Sequence, residues 1–409
     1  MRRRAFLAAS AALLAGAALP VLTGCSSSAS VAPTPAPSPA AQGSGAPTPT
    51  PALPPEEMLR RSWSSYRVHF IQSDGRTMDP MREMATTSEG QSYSLLKAVW
   101  QNDRATFDRV LDWTNANLRV RGDALFAFLW GRGADGTWGV LDSNIASDAD
   151  QDIALALIFA YHRWGGEIYL NQARAVLRDL WQQSVVTVGG RPYMAAGNWA
   201  LDQENPTLNP SYLAPYAYRI FAEVDPERAW PMLVDTSYDV LFAASGQPLG
   251  QGQPVGLPPN WCAIRRDDGA IVAPLPELDT NFGYDAFRTY WRVALDWMWF
   301  GEERAARYLY QSDFLRKVWQ KEGSISAVYS HDGRPVELHE SAPIYAGLMA
   351  NLLVAEPELA PRMYAEKLAP RFTERDGQVY WDDPRAYYTQ NWLWFGVALY
   401  AGALPNLAA

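Results

Sequence analysis

Two cysteines and four histidines are little for a chain of 409 residues. The cysteines stand at 25 and 262, so no disulfide framework staples the chain and a hydrophobic core must supply its stability. His69, His162, His331 and His339 show no metal-ligand spacing, which predicts no metal and no cofactor. Positive charge is scarce as well. There are 35 Lys and Arg against 44 Asp and Glu, a net −9, and three of the positive charges are Arg2, Arg3 and Arg4. An acidic body of this kind repels phosphate backbones, which argues against nucleic acid as a partner. After the first 21 residues no apolar run is long and charge-free enough to span a bilayer.

What is present begins with an export segment. Arg2-Arg3-Arg4 is a basic start, residues 5–21 are almost wholly apolar or small, and Leu22-Thr23-Gly24-Cys25 follows. The last four resemble a bacterial lipobox, which implies cleavage after residue 24, a lipid on Cys25, and an exported, membrane-anchored protein. Arg3-Arg4-Ala5-Phe6-Leu7 also resembles a twin-arginine signal, with Arg2 where Ser or Thr is usual. Residues 25–55 are rich in Ser, Ala, Pro, Thr and Gly and read as a semi-extended tether. The folded domain is expected over 56–409.

Within that domain apolar residues recur at three- and four-residue spacing. The pattern covers 56–70, 92–101, 104–118, 152–164, 167–183, 211–222, 226–244, 285–300, 302–319, 340–354, 357–368 and 387–402. It predicts an all-α fold of about twelve helices. The clearest β signal is Ser184-Val185-Val186-Thr187-Val188, closed by Gly189-Gly190. Strand content should be low. Cys262 reads as a small buried residue.

Aromatic residues are abundant: 17 Trp, 20 Tyr and 14 Phe. Rings with polar tips suit cores, and they also stack on flat ligands. Three acidic runs stand among them. Glu89, in Thr86-Thr87-Ser88-Glu89-Gly90-Gln91-Ser92-Tyr93, precedes an apolar helix, where a capping acid is the plain reading. Asp148, Asp150 and Asp152 alternate before another apolar helix, although capping needs only one of them. Asp285 and Arg288 lie three apart, which suits a structural ion pair or a carboxylate kept ionised to act as a base. Cleavage between sugars needs such a pair, one acid to protonate the leaving oxygen and one carboxylate to activate water or attack.

Taken together, these runs resemble glycoside hydrolase family 8. Ala146 through Trp164 (ASDADQDIALALIFAYHRW) is similar to that family's signature almost position by position. Ile71-Gln72-Ser73-Asp74-Gly75-Arg76, Thr87 through Tyr93 and Gly139-Val140-Leu141-Asp142 resemble its endoglucanase branch associated with bacterial cellulose synthesis. The resemblance implies an (α/α)6 barrel, an inverting mechanism and a β-1,4-linked glucan as substrate. It also implies a tie to cellulose-synthesis machinery as a partner. By position it makes Glu89 the general acid, Asp285 the general base and Asp148 the acid that holds the sugar at the cleavage point. It likewise implies that Arg288 and Tyr284 flank the base and that Tyr212 contacts substrate. Ser94 and Tyr290 depart from the family pattern, standing where glycine and proline are common. Trp130, Trp138 and Trp199 are candidates to stack on sugar faces. Two alternatives stay open: the same fold acting on xylan or chitosan, and an inactive glycan-binding lipoprotein of a polysaccharide export assembly.

Overall fold

The computed structural model describes residues 53–250 and 252–409. The export signal, Cys25 and nearly all of the expected tether lie outside the described residues. Thirteen α-helices alternate along the described chain between an outer and an inner layer. The outer helices are α1 (Pro55–His69), α3 (Arg104–Asn117), α5 (Glu167–Ser184), α7 (Trp230–Gly246), α9 (Glu303–Gln311) with α10 (Phe314–Glu322), and the short α12 (Ala360–Met363). The inner ones are α2 (Ser88–Trp100), α4 (Ser147–Trp164), α6 (Pro215–Val224), α8 (Arg288–Phe300), α11 (Ala342–Ala355) and α13 (Tyr387–Tyr400). This is an (α/α)6 barrel.

The burial pattern explains the layering. Helices α2, α11 and α13 are buried nearly all round, as are the first fourteen residues of α4, so no amphipathic stripe distinguishes one of their faces. Helices α1, α3 and α5 bury one face each. Aromatic contacts close the ring. Tyr93 of α2 meets Trp392 and Phe395 of α13 edge-on at 5.6 and 5.4 Å, and Trp291 of α8 lies 5.3 Å from Phe395. Helices α11 and α13 pack so closely that a Cβ on Gly396 would stand 2.6 Å from that of Ala346. Most of the tryptophans serve this core, with Trp230, Trp319, Trp381, Trp392 and Trp394 wholly buried.

Several expected boundaries move for local reasons. The helix expected over 302–319 is two helices. Between them buried Arg316 and Asn351 donate to the Leu309 and Ser312 carbonyls, which frees those carbonyls from continuing the helix. The helix expected at 211 begins at Pro215, after a separate 3-10 turn at Pro210–Tyr212. The segment expected over 357–368 breaks into short 3-10, α and π turns, with Pro357 and Pro361 lacking the N–H a regular helix needs. Among the described residues strands are short, two to five residues each, and form five small sheets in the connections. The expected strand is there: Val185–Val188 pairs with Arg191–Met194 across Gly189 and Gly190, both at positive φ.

The inner helices all point their N-termini to one end of the barrel. The loops at that end build the site.

Candidate active site

Glu89 reaches the site because something else caps its helix. The Thr87 hydroxyl accepts from the Gly90 N–H at 3.0 Å, so α2 starts without Glu89. Strand Thr86–Thr87 pairs with Leu129–Arg132 and fixes the entry angle. Gly90 must be small, since a Cβ there would lie 2.8 Å from the Tyr387 hydroxyl.

The three alternating acids of α4 separate into three jobs. Asp148 faces the site. Asp150 is fully buried and accepts from the Phe126 N–H at 3.1 Å, tying down the preceding loop. Asp152 forms a two-pronged ion pair with Arg292, both contacts 2.9 Å. Asp285 sits just before α8, where the Asn260 side-chain oxygen accepts from the N–H groups of Asp285 and Ala286 at 3.3 and 3.0 Å.

Arg288, the first residue of α8, gathers these pieces. Its Nη1 donates to Glu89 Oε2 and to Asp148 Oδ2, each at 3.1 Å, and to the Tyr93 hydroxyl at 3.3 Å. Its Nη2 donates to Asp285 Oδ1. One buried guanidinium therefore bridges all three carboxylates that the sequence singled out. The Tyr212 ring lies 5.3 Å below the same guanidinium.

Exposure sorts the carboxylates. The side chains of Glu89 and Asp285 keep 21 % and 17 % of their surface open, whereas Asp148 keeps 2 %. Two acids are thus open to a ligand and one forms the floor. Burial raises the proton affinity of all three, and a single Arg288 cation cannot offset three anions. Burial pushes Glu89 up to about 7; Arg288 opposes this, and the charges of Asp148 and Asp285 reinforce it. Burial likewise pushes Asp285 up to about 6, again against Arg288. Asp148 is also raised by burial, with Arg288 and Arg292 pulling the other way. Near neutrality this set can hold one proton on Glu89 while Asp285 is ionised, the condition for an acid and a base side by side.

The remaining candidates lie around this centre. Tyr212 packs edge-on against Trp261 at 5.9 Å, and Trp261 meets Trp199 at 6.2 Å, forming an aromatic wall. Trp130 and Trp138 stack on each other at 5.2 Å on the hairpin of Leu129–Arg132 and Trp138–Asp142, with Arg76 against both rings. Trp138 is 46 % exposed, which leaves ring surface for a ligand. Tyr284 flanks Asp285 in the chain, but its hydroxyl meets His339 Nε2 at 3.1 Å instead. Its carbonyl accepts from the Tyr388 hydroxyl. Of the two departures, Ser94 bonds Thr77 at 2.8 Å and Tyr290 packs on Phe282 at 5.9 Å, both buried. Cys262 is buried and its thiol is pushed up by that burial.

Sequence reasoning missed Tyr93, Asn260, Trp261 and Tyr388. Tyr93 had a readable signal, four residues after Glu89 and so on the same helix face. Asn260 and Trp261 come from a distant loop and Tyr388 from the first turn of α13, and none carries a local mark.

Comparison with known proteins settles the family. The description "Glycosyl hydrolases family 8" matches residues 53–350. The chain belongs to this family. A relative named endoglucanase from Xanthomonas axonopodis pv. citri is 38 % identical over 253 residues, 60 % of this chain and 62 % of that one. The match thus spans under two thirds of that relative's length. The structure of an endo-1,4-D-glucanase from Vibrio fischeri ES114 superposes with a TM-score of 0.68 at 25 % identity, covering 83 % of this chain and 94 % of that chain. A family 8 xylobiose complex from Teredinibacter turnerae shares the fold, with a TM-score of 0.67 at 21 % identity over 87 % of this chain and 95 % of that one.

Proposed function

We propose that this family 8 protein is an endo-acting, inverting hydrolase of β-1,4-linked glucan. The supporting observation is the single guanidinium of Arg288 joined to Glu89, Asp148 and Asp285. Glu89 and Asp285 contact neighbouring nitrogens of one planar group, so they are no further apart than one guanidinium and two hydrogen bonds. That reach is compatible with the roughly 6.5–9.5 Å an inverting enzyme leaves for its water. In this reading Glu89 protonates the leaving oxygen and Asp285 takes a proton from the water that attacks from the opposite face. Asp148, on the floor, holds the sugar at the cleavage point. Tyr212, Trp199, Trp130 and Trp138 offer ring faces to the chain on either side.

Glucan is favoured because the curated relatives carry the name endoglucanase. Reducing-sugar release from carboxymethylcellulose, xylan and chitosan tests the choice. Turnover of the first is expected to be fastest; fastest turnover of either other polymer reassigns the substrate, and none on all three supports the glycan-binding alternative. The same reading places the enzyme outside the cytoplasm, lipid-anchored through Cys25, with nascent cellulose and its synthesis machinery as natural company. Intact mass of the mature protein should show cleavage before Cys25 and an added lipid, both absent in Cys25→Ser.

A further inference from the structure

One helical turn below the Arg288 guanidinium lies a second arginine–aspartate pair. Arg288 and Arg292 stand four apart on α8, and Asp148 and Asp152 stand four apart on α4, so each helix presents its two residues on one face. Arg292 Nη1 and Nη2 donate to the two Asp152 oxygens at 2.9 Å each, and Nη1 also donates to the Tyr216 hydroxyl of α6 at 3.0 Å. Arg292 is 0 % and Asp152 2 % exposed, so no substrate touches either. The fork is planar and two-pronged, which fixes the height of α8 against α4 more tightly than a point charge does.

We propose that the Asp152–Arg292 pair is the positioning strut of the active site: it sets Arg288 against Asp148 and balances the field in which three carboxylates share one guanidinium. A buried pair of this kind adds little net stability compared with an apolar packing, whereas loss of one partner leaves an uncompensated charge inside. Here that charge would lie beneath Asp148. The groups that feel this pair directly are Asp148 of α4 and Tyr216 and Tyr218 of α6. Beyond Asp148, on the Arg288 side, stand Glu89 and Tyr93 of α2 and Tyr212 before α6, and Asp150 of α4 is turned to the Phe126 N–H. Asp285 and Arg288 at the start of α8 and Tyr388 of α13 complete the set. Burial pushes the tyrosines upward, so they stay neutral over the working range, and it pushes Asp150 upward as well. The charge of Arg292 is one of the two that draw Asp148 towards its ionised form.

This inference rests on the glycanase reading, and its test separates the two. The pH profile of kcat/KM is measured on carboxymethylcellulose for the full chain and for Arg292→Gln, Asp152→Asn, the double variant and Arg292→Lys. Without the cation the Asp152 anion stands unpaired beneath the site and makes the carboxylates above it, Asp285 included, harder to ionise, so the acidic limb that Asp285 sets should move up by about half a pH unit or more in Arg292→Gln. With an unpaired cation it should move down in Asp152→Asn. The double variant restores neutrality and should return the limb to the wild-type position, with kcat at least tenfold lower and KM little changed because the fork is gone. Arg292→Lys should keep the limb and recover part of kcat. Equal-direction or absent shifts in the single variants, alongside similar losses of Tm, would overturn the proposal. If the single variants do not fold, the double variant decides: wild-type kcat overturns the strut, and lowered kcat with an unmoved limb supports it. Failure of the wild-type chain to hydrolyse any β-1,4 polymer would instead refute the glycanase reading.

Discussion

Helix α2 carries the proposed acid at one end and a buried lysine two turns on, and the two surroundings treat charge in opposite ways. At the N-terminal end Glu89 shares the Arg288 guanidinium with Asp148 and Asp285. Burial works against the charge of Arg288, yet Tyr388, Tyr93, Asp285 and Asp148 around it hold its proton affinity well above the ordinary arginine range. Lys97 is equally buried, and its partners among the described residues are neutral: the Asn391 side-chain oxygen at 2.6 Å and the faces of Tyr66 and Trp63. Burial pushes its proton affinity well down. Taking a cation out of water is costly unless anions replace the water. At the site anions replace the lost water, whereas around Lys97 neutral groups do, and its proton affinity falls.

The widest way to break this comparison is to remove the proton donor. Glu89→Gln keeps the shape and loses the acid, so hydrolysis of carboxymethylcellulose should fall by about 10³-fold or more, with circular dichroism unchanged. Near-normal turnover would sink the assignment. Next, Arg288→Lys keeps one charge but cannot reach three carboxylates at once, because an ammonium lacks the planar fork. Its kcat should drop by roughly 10²-fold, and a loss below threefold would mean that bridging is not what positions the acids.

The pH profile sharpens the same contrast. Below the Asp285 value of about 6 the base is protonated, and above the Glu89 value of about 7 the acid is empty. The kcat/KM profile should therefore be a narrow bell with its maximum between these limits, falling about tenfold per unit on either side. A plateau extending to pH 9 would contradict the protonated state of Glu89.

The smallest effect concerns Lys97. Its folded-state affinity lies below the unfolded value of about 10.4, so between the two the unfolded chain binds a proton that the folded chain does not. Stability therefore rises with pH across that window, and the penalty grows as pH falls. Lys97→Met removes the penalty. Its Tm should gain on wild type by about 2–4 °C between pH 10 and pH 7. A gap that is the same at both pH values would mean that Lys97 keeps its charge in the fold.

Much of this architecture is legible in the amino-acid sequence. The periodic segments anticipate the alternating helices, because a helix that packs into a core repeats its apolar residues whether or not its neighbours are known. The Asp285–Arg288 spacing anticipates their pairing, because three residues make close to one helical turn. Other features are not legible. Glu89 reads locally as a capping acid, and only the Thr87 cap shows it to be free for other work. The alternating acids of α4 look alike, yet the fold gives each a different partner. Asn260 and Tyr388 come from loops and helices far along the chain, and no local pattern marks them.

The sequence by itself determined the helix count among the described residues to within one, the family, and which three carboxylates to look for, since each rests on residues near one another in the chain. Only the tertiary structure decided that one guanidinium joins those carboxylates, that two stay open and one is buried, and that a second pair braces them from below. Proton affinity inside a protein depends on which charges and how much water surround a group in space. Those surroundings are assembled from segments up to about three hundred residues apart, and chain order alone does not contain them.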